Sequence, residues 1–225
     1  VQMNLDGYTA GMPKAETPED AWMFSRLAKV VAETTEQLET YGFGEYARNI
    51  QSFFWNDVCD WYIELCKGRL LDGTPDQRLQ VQRNLVFVLD VSMRLLHPAM
   101  PFVTESVWYA LPASGLLSHD AEFLMVSEWP DPEKLASFVD EAAEHNFSLA
   151  KTVVSAVRSS RARYRLSPKT DLAVVVKAPA QDVAALKEQA AFIQNVGRVS
   201  SLEVAEAPQK PAGSVSVTDA GLEMY

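Results

Sequence analysis

Residues Ile50–Leu70 read IQSFFWNDVCDWYIELCKGRL. Set on a helix at about 100° per residue, Asn56, Asp57, Asp60, Glu64 and Lys67 share an arc of about 100°. Trp55, Val58, Cys59, Trp61, Tyr62, Ile63, Leu65 and Cys66 fill the remainder. A helix apolar over that much of its circumference needs other helices around it. Its aromatic rings alone bury about 150–250 Å² each when enclosed. The stretch predicts a central helix with one polar stripe and a bundle packed about it.

Composition is consistent with such a core. Of 225 residues, 48% are hydrophobic and 10% aromatic, enough for one large domain or two small ones. No run of about 18 apolar residues is present, which excludes a helical membrane span of that kind. The opening residues lack the basic-then-apolar pattern of a secretory signal. The two cysteines, Cys59 and Cys66, stand about 10 Å apart on one helix, beyond disulfide reach. They read as buried thiols in a reducing cytoplasm. No CxxC and no spaced His pair points to structural zinc.

The net charge is −10, which taken alone opposes nucleic-acid binding. The distribution is uneven, however. Glu105–Glu144 holds nine acids and one base, whereas Lys151–Lys169 holds six bases and no acid. A solvated face mixes signs, so a run of one sign fits a phosphate-binding stripe better. Lys151, Arg158 and Arg165 recur every seven residues, with Arg161 beside them.

The chain divides by its start and stop signals. Thr17-Pro18-Glu19-Asp20 opens a helix that ends at Tyr41-Gly42, with Phe24, Leu27, Val31 and Leu38 buried. Trp22, Arg26 and Lys29 form a separate column, an aromatic interleaved with bases, as used to stack an unpaired base beside a phosphate. The alternative has Trp22 covering the bundle edge and Arg26 paired with an acid. The helix of Ile50–Leu70 follows Gly44, and Lys67 and Arg69 close it, available to an RNA backbone. Leu71–Asp76 reads as a loop, Gln77–Leu96 as a helix ended by His97-Pro98, and Pro101–Leu111 as a short helix. Pro112–His119 is a polar loop, and Trp129-Pro130 anchors an irregular stretch. A helix of about 35 residues is expected from Asp131 to Leu166, broken at Ser167-Pro168. Beyond it come an extended Leu172–Lys177, a helical Ala180–Val196 and extended Ser200–Val204 and Val215–Val217. The fold class is thus mainly α: a helical bundle over 1–166, then a small β-α-β-β unit of α/β type over 167–225.

Catalytic signals are weak. Asp57, Asp60 and Glu64 could be paired carboxylates, but no His, nucleophile or glycine loop accompanies them. They serve better as acceptors for Arg26 or Arg94. Asn56 could read a base edge or be structural, and His97 fits a hydrogen-bonded corner.

Three ordered motifs carry a family resemblance. FFWNDVCDWYIE over Phe53–Glu64 is similar to the signature helix of the anticodon-binding domain of valyl-tRNA synthetases. LLHPAMPFVTESVW over Leu95–Trp108 resembles a second family motif, and DAWMFSRL over Asp20–Leu27 resembles the family's D-R-W-x-x-S-R-L. Ala21 stands where the family usually has Arg, and Gly68 replaces a usual proline, which would loosen a turn there. The tryptophan-rich middle motif favours the valyl enzymes over their isoleucyl and leucyl relatives. A helical protein-interaction module is the alternative from another class.

The resemblance implies a non-catalytic piece of a longer enzyme. Neither a HIGH-like nor a KMSKS-like motif occurs in it. ATP with magnesium would serve the parent enzyme, expected to be a monomer, and this part would need no cofactor. Its partner would be the anticodon stem-loop of a valine tRNA, with no membrane involved. The candidate RNA-binding residues are Trp22, Arg26, Lys29, Asn56, Lys67, Arg69, Arg158, Arg161 and Arg165.

Overall fold

The computed structural model describes residues 5–117, 121–167 and 169–225. The residues before Leu5, the end of the loop expected over Pro112–His119, and the proline of the expected Ser167-Pro168 break lie outside the described residues. The chain forms two compact units, Val1–Asp140 and Glu141–Tyr225.

That division falls earlier than the expected boundary at 166/167, because the expected 35-residue helix is interrupted. A short α6 (Pro132–Leu135) and a 3-10 turn over Ala136–Phe138 lead into an extended Val139. The interruption has identifiable causes. Ser25 Oγ accepts the Asp140 N–H at 2.8 Å. The Phe138 ring meets Phe24 and Phe87 at centroid distances of 5.2 and 5.9 Å. Glu141 and Glu144 then favour a fresh helix start.

In the first unit α1 runs Pro18–Glu39, capped by Thr17 with Pro18 at its first turn. Its last turn closes with Tyr41 in the left-handed region, φ 59°. The Tyr41 N–H bonds Leu38 O and the Gly42 N–H bonds Gln37 O, a Schellman pair. A rod of continuous helix follows: α2 (Phe43–Ser52), a π-helical stretch over Phe53–Tyr62, and α3 (Ile63–Asp72). Helix α3 passes straight through Gly68, so the turn expected there does not occur. Helix α4 begins at Pro75, two residues before the expected start, because Thr74 and Gln77 form a capping box, and it reaches Leu96. Helix α5 spans Pro101–Tyr109.

The centre of the unit differs from the expected one. Helices α1 and α4 are buried nearly all round, over Trp22–Leu27 with Ala28, Val30 and Val31, and over Asn84–Leu96. Phe24 and Phe87 meet edge to face at 5.5 Å. The rod buries one stripe, Tyr46, Ile50, Phe53, Val58, Tyr62 and Cys66. The five-residue step from Phe53 to Val58 belongs to i→i+5 bonding, as in the Ile63 N–H bond to Val58 O. Trp55, assigned to the apolar side by the 100° projection, is 66% exposed.

In the second unit α7 (Glu141–Arg163) is followed by β1 (Ala173–Lys177), α8 (Ala180–Glu188), α9 (Ala190–Gly197), β2 (Ser201–Ala205), β3 (Val217–Asp219) and β4 (Leu222–Met224). The sheet order is β2-β1-β4-β3. β1 pairs parallel with β2 from Ala173↔Ser201 to Lys177↔Ala205, a connection that requires the α8–α9 crossover. β4 is antiparallel to both β1 and β3. β4 was absent from the sequence expectation. The β3–β4 hairpin turns on Ala220 and Gly221, both at positive φ, 46° and 79°, as a two-residue turn demands. Phe147, Val153 and Val154 of α7, Phe192 and Ile193 of α9, and Val174–Val176 of β1 form the core. Phe147 and Phe192 stack at 5.1 Å. Among the described residues no helix is long and apolar enough to cross a membrane.

Candidate nucleic-acid interface

The polar groups of the first unit separate into a buried scaffold and an exposed surface. Asp20 is 0% exposed. Arg69 grips it with both arms of its fork, Nη1 to Oδ2 and Nη2 to Oδ1, each at 2.7 Å. The Tyr62 hydroxyl donates to Oδ1 at 2.7 Å and the Glu16 N–H to Oδ2 at 3.3 Å. Burial first, then the neighbouring Cys66 and the charge and hydrogen bond of Asp20, push the Tyr62 hydroxyl well up from its usual range. Burial likewise pushes the Cys66 thiol up to about 12. Burial acts to lower the Arg69 pKa, but the hydrogen bonds and charge of Asp20 more than reverse this and raise it. This cluster ties α1 to α3.

Three expected contact residues therefore belong to the scaffold. Trp22 is 3% exposed, so its faces have no room for a nucleotide base. Arg69 is committed to Asp20, a bidentate pair that loses its geometry if the fork turns to a phosphate. Arg26 donates from Nε to Asp57 Oδ2 at 3.3 Å, the acid pairing weighed as its alternative role. Lys29 is half-buried. The column of α1 is no open surface, because its aromatic member is buried and its two bases are half-buried.

Asn56 and Lys67 are exposed. Asn56 donates to Ser52 Oγ at 3.2 Å and Lys67 pairs with Glu64. Exposed pairs of that kind are worth only about 0–1 kcal/mol and exchange readily for another anion. Large rings also reach solvent, among them Tyr41 at 79%, Phe43 at 60% and Trp55 at 66% exposed on or beside the rod, and Phe102, Tyr109 and Phe123 elsewhere in the unit. Tyr41 and Phe43 meet edge to face at 6.2 Å beside α2, which carries Arg48. The sequence signal for this corner was an aromatic on each side of Gly42 at a helix junction.

In the second unit the basic run ends α7. Arg158 is exposed and Arg161 is 9% exposed. Arg165 has left the helix, so the expected seven-residue stacking onto Arg158 does not extend to it. It occupies the left-handed position after the helix, φ 52°, with its N–H bonded to Ala162 O and the Leu166 N–H bonded to Arg161 O. Arg198 repeats the arrangement after α9, φ 53°, with the Val199 N–H bonded to Gln194 O. Glycine is the usual occupant of such positions, and a side chain there costs about 1–2 kcal/mol. Arg158, Arg161, Arg165 and Arg198 line one cleft of about 480 Å³ with Ala162, Leu166, Val196 and Gly197, and among the described residues no acid lines it. Arg198 was missed because it stands alone in sequence, remote from the basic run. Tyr164, 48% exposed, lies under the Arg163 guanidinium at 5.9 Å.

Residues 20–176 match the anticodon-binding domain of tRNA ligase. The chain is 38% identical over 187 residues to the valine–tRNA ligase of Fervidobacterium nodosum, covering 83% of this chain and 20% of the relative. It is 38% identical over 213 residues to that of Thermotoga maritima, 94% of this chain and 23% of the relative. With that of Lactobacillus johnsonii it shares 32% identity over 230 residues, 100% of this chain and 25% of the relative. The chain thus spans about a fifth to a quarter of the length of these relatives. The match over residues 20–176, which takes in the helical unit entered at Asp20 and the arginines Arg158, Arg161 and Arg165 beyond it, places this chain in the family of tRNA-ligase anticodon-binding domains.

Proposed function

We propose that the chain holds the anticodon stem-loop of a valine tRNA, within a ligase that joins valine to that tRNA using ATP with magnesium. The match over residues 20–176 carries this reading, and the valine–tRNA ligases among its relatives supply the amino acid. This chain spans a fifth to a quarter of the relatives' length, and ligation itself is assigned to the parts of such a ligase that it does not span, in an enzyme that acts as a monomer. The exposed rings support the loop contact, since unpaired bases are recognised by stacking on aromatics and by their edges. Trp55 takes the stacking role, with Asn56 next to it and Lys67 further along the same rod. Arg158 and Arg165 face the RNA backbone.

Valine codons all begin G-U, so valine anticodons share their last two bases, A and C, and differ at the first. The middle A or the final C, when changed, is expected to weaken binding by about 1–3 kcal/mol, the discrimination supplied by one bidentate pairing to a base edge. A change at the first base is expected to matter little. Competition among anticodon variants of valine tRNA for this chain measures the difference, and equal competition by all of them would refute anticodon reading. Trp55→Ala is expected to weaken loop binding by about 1–3 kcal/mol, the range for one stacked base. Its thermal midpoint should stay near that of the parent, because the ring is largely in solvent. Unchanged affinity would remove Trp55 from the interface.

A further inference from the structure

The cleft between the ends of α7 and α9 contains a buried cation in an unusual state. Arg161 donates Nη1 to Ser167 O at 3.0 Å and Nη2 to Thr170 O at 2.9 Å and to Arg198 O. It thereby ties together the three segments around the cleft. Its Nε is buried and has no hydrogen-bond partner. No carboxylate pairs with Arg161 among the described residues. A buried guanidinium satisfied only by carbonyls retains its full charge in a poorly screened place, and an N–H with no acceptor adds to the penalty. Both deficits are removed by one anion.

The neighbours fit the same ligand. Arg165 and Arg198 are exposed, and each is held in the strained left-handed position that ends a helix. Two helix ends therefore converge on one cleft, each presenting a guanidinium where glycine would relax the backbone. Arg158 donates to Val196 O at 3.4 Å on the same wall. Guanidinium is the side chain best matched to phosphate, through paired N–H donors.

We propose that this cleft is a phosphate site for the RNA backbone. Arg165 and Arg198 contact the phosphate, and Arg161 is the positioning residue that fixes the cleft and turns its free Nε–H to the ligand. This rests on the tRNA-binding reading above but adds Arg198, and it assigns Arg161 a different role from that of a simple backbone contact. An acidic protein segment and free inorganic phosphate are the competing occupants.

The test uses Arg165→Gly combined with Arg198→Gly. Glycine suits both backbone positions, so the double variant keeps its fold while losing two charges. Binding of labelled valine tRNA is followed from about 50 to 200 mM salt, a range over which each neutralised phosphate weakens affinity about threefold. The slope of log K against log salt is expected to flatten by about 0.7–0.9 for each phosphate that is no longer neutralised. The preference among anticodon variants should be unchanged. The Arg161 Nε–Hε resonance is expected to move on adding RNA to the parent chain and to stay in place in the double variant. An unchanged slope overturns the site. So does an equal shift of that resonance with inorganic phosphate at the same phosphate concentration, or with poly-glutamate at the same charge. Anticodon preference is read independently of the slope. Its absence with a flattened slope refutes anticodon reading alone, and its presence with an unchanged slope refutes the cleft alone.

Discussion

Asp90→Ala is expected to destabilise the helical unit by about 3–5 kcal/mol, the loss that follows when one partner of a buried ion pair is removed. Asp90 and Arg94 are 0% and 3% exposed, and Trp108 is 2% exposed. One oxygen, Asp90 Oδ1, accepts Arg94 Nε at 2.9 Å and Trp108 Nε1 at 2.8 Å. Arg94 donates its Nη1 to Glu128 O at 2.7 Å and lies 5.8 Å from the Trp108 ring centroid. Alanine would remove the one carboxylate oxygen that accepts from both the buried Arg94 guanidinium and the Trp108 indole N–H. Urea unfolding measures the loss. Asp90→Ala combined with Arg94→Met is expected to recover part of it, since the buried charge goes with its partner. A double variant as unstable as Asp90→Ala alone would place the loss in packing instead.

Asp20→Ala is expected to cost a similar amount, about 3–5 kcal/mol. It strands Arg69 and removes the acceptor of the Tyr62 hydroxyl, a side chain with 0% exposure. The reciprocal change, Arg69→Met, leaves the Asp20 carboxylate buried without its cation and should destabilise as strongly. That outcome separates the two roles considered for Arg69. An RNA contact would lose affinity and keep its unfolding midpoint, whereas the clamp seen here would lose the midpoint. Unchanged stability in both variants would show that the Asp20–Arg69 pair is dispensable.

Much of the helical layout was legible because its punctuation is local. Thr17-Pro18 and the Tyr41-Gly42 stop need only their immediate neighbours to be understood. The same holds for the proline that opens α5, and for the composition change that precedes the sheet. What could not be read was the identity of the inside. A 100° projection sends charges outward, so Asp20 and Asp90 were not expected at the centre, and Arg94, expected to meet Asp57 or Asp60, has Asp90 as a buried partner. The projection also exchanged two tryptophans: Trp22 sits on the enclosed first half of its helix, and Trp55 on a stretch whose winding is not that of an α-helix. The basic run near the end of α7 was visible as a run. Its completion by Arg198 was not, because only the pairing of β1 with β2 brings the end of α9 alongside. The interruption at Val139 depends on a hydroxyl from Ser25, far away in sequence.

The π-helical stretch has a mechanical consequence. Measured from Phe53, plain α winding would carry Val58, Tyr62 and Cys66 about 140–220° around the axis, to the far side of the rod. In the structure all three share the buried side with Phe53. The ten residues Phe53–Tyr62 therefore act as a torsional gauge between the two halves of one helix. Rewinding them to α geometry would turn the second half through about half a revolution and swing Arg69 off Asp20. The pitch of that segment, more than any one of its side chains, keys α3 to α1.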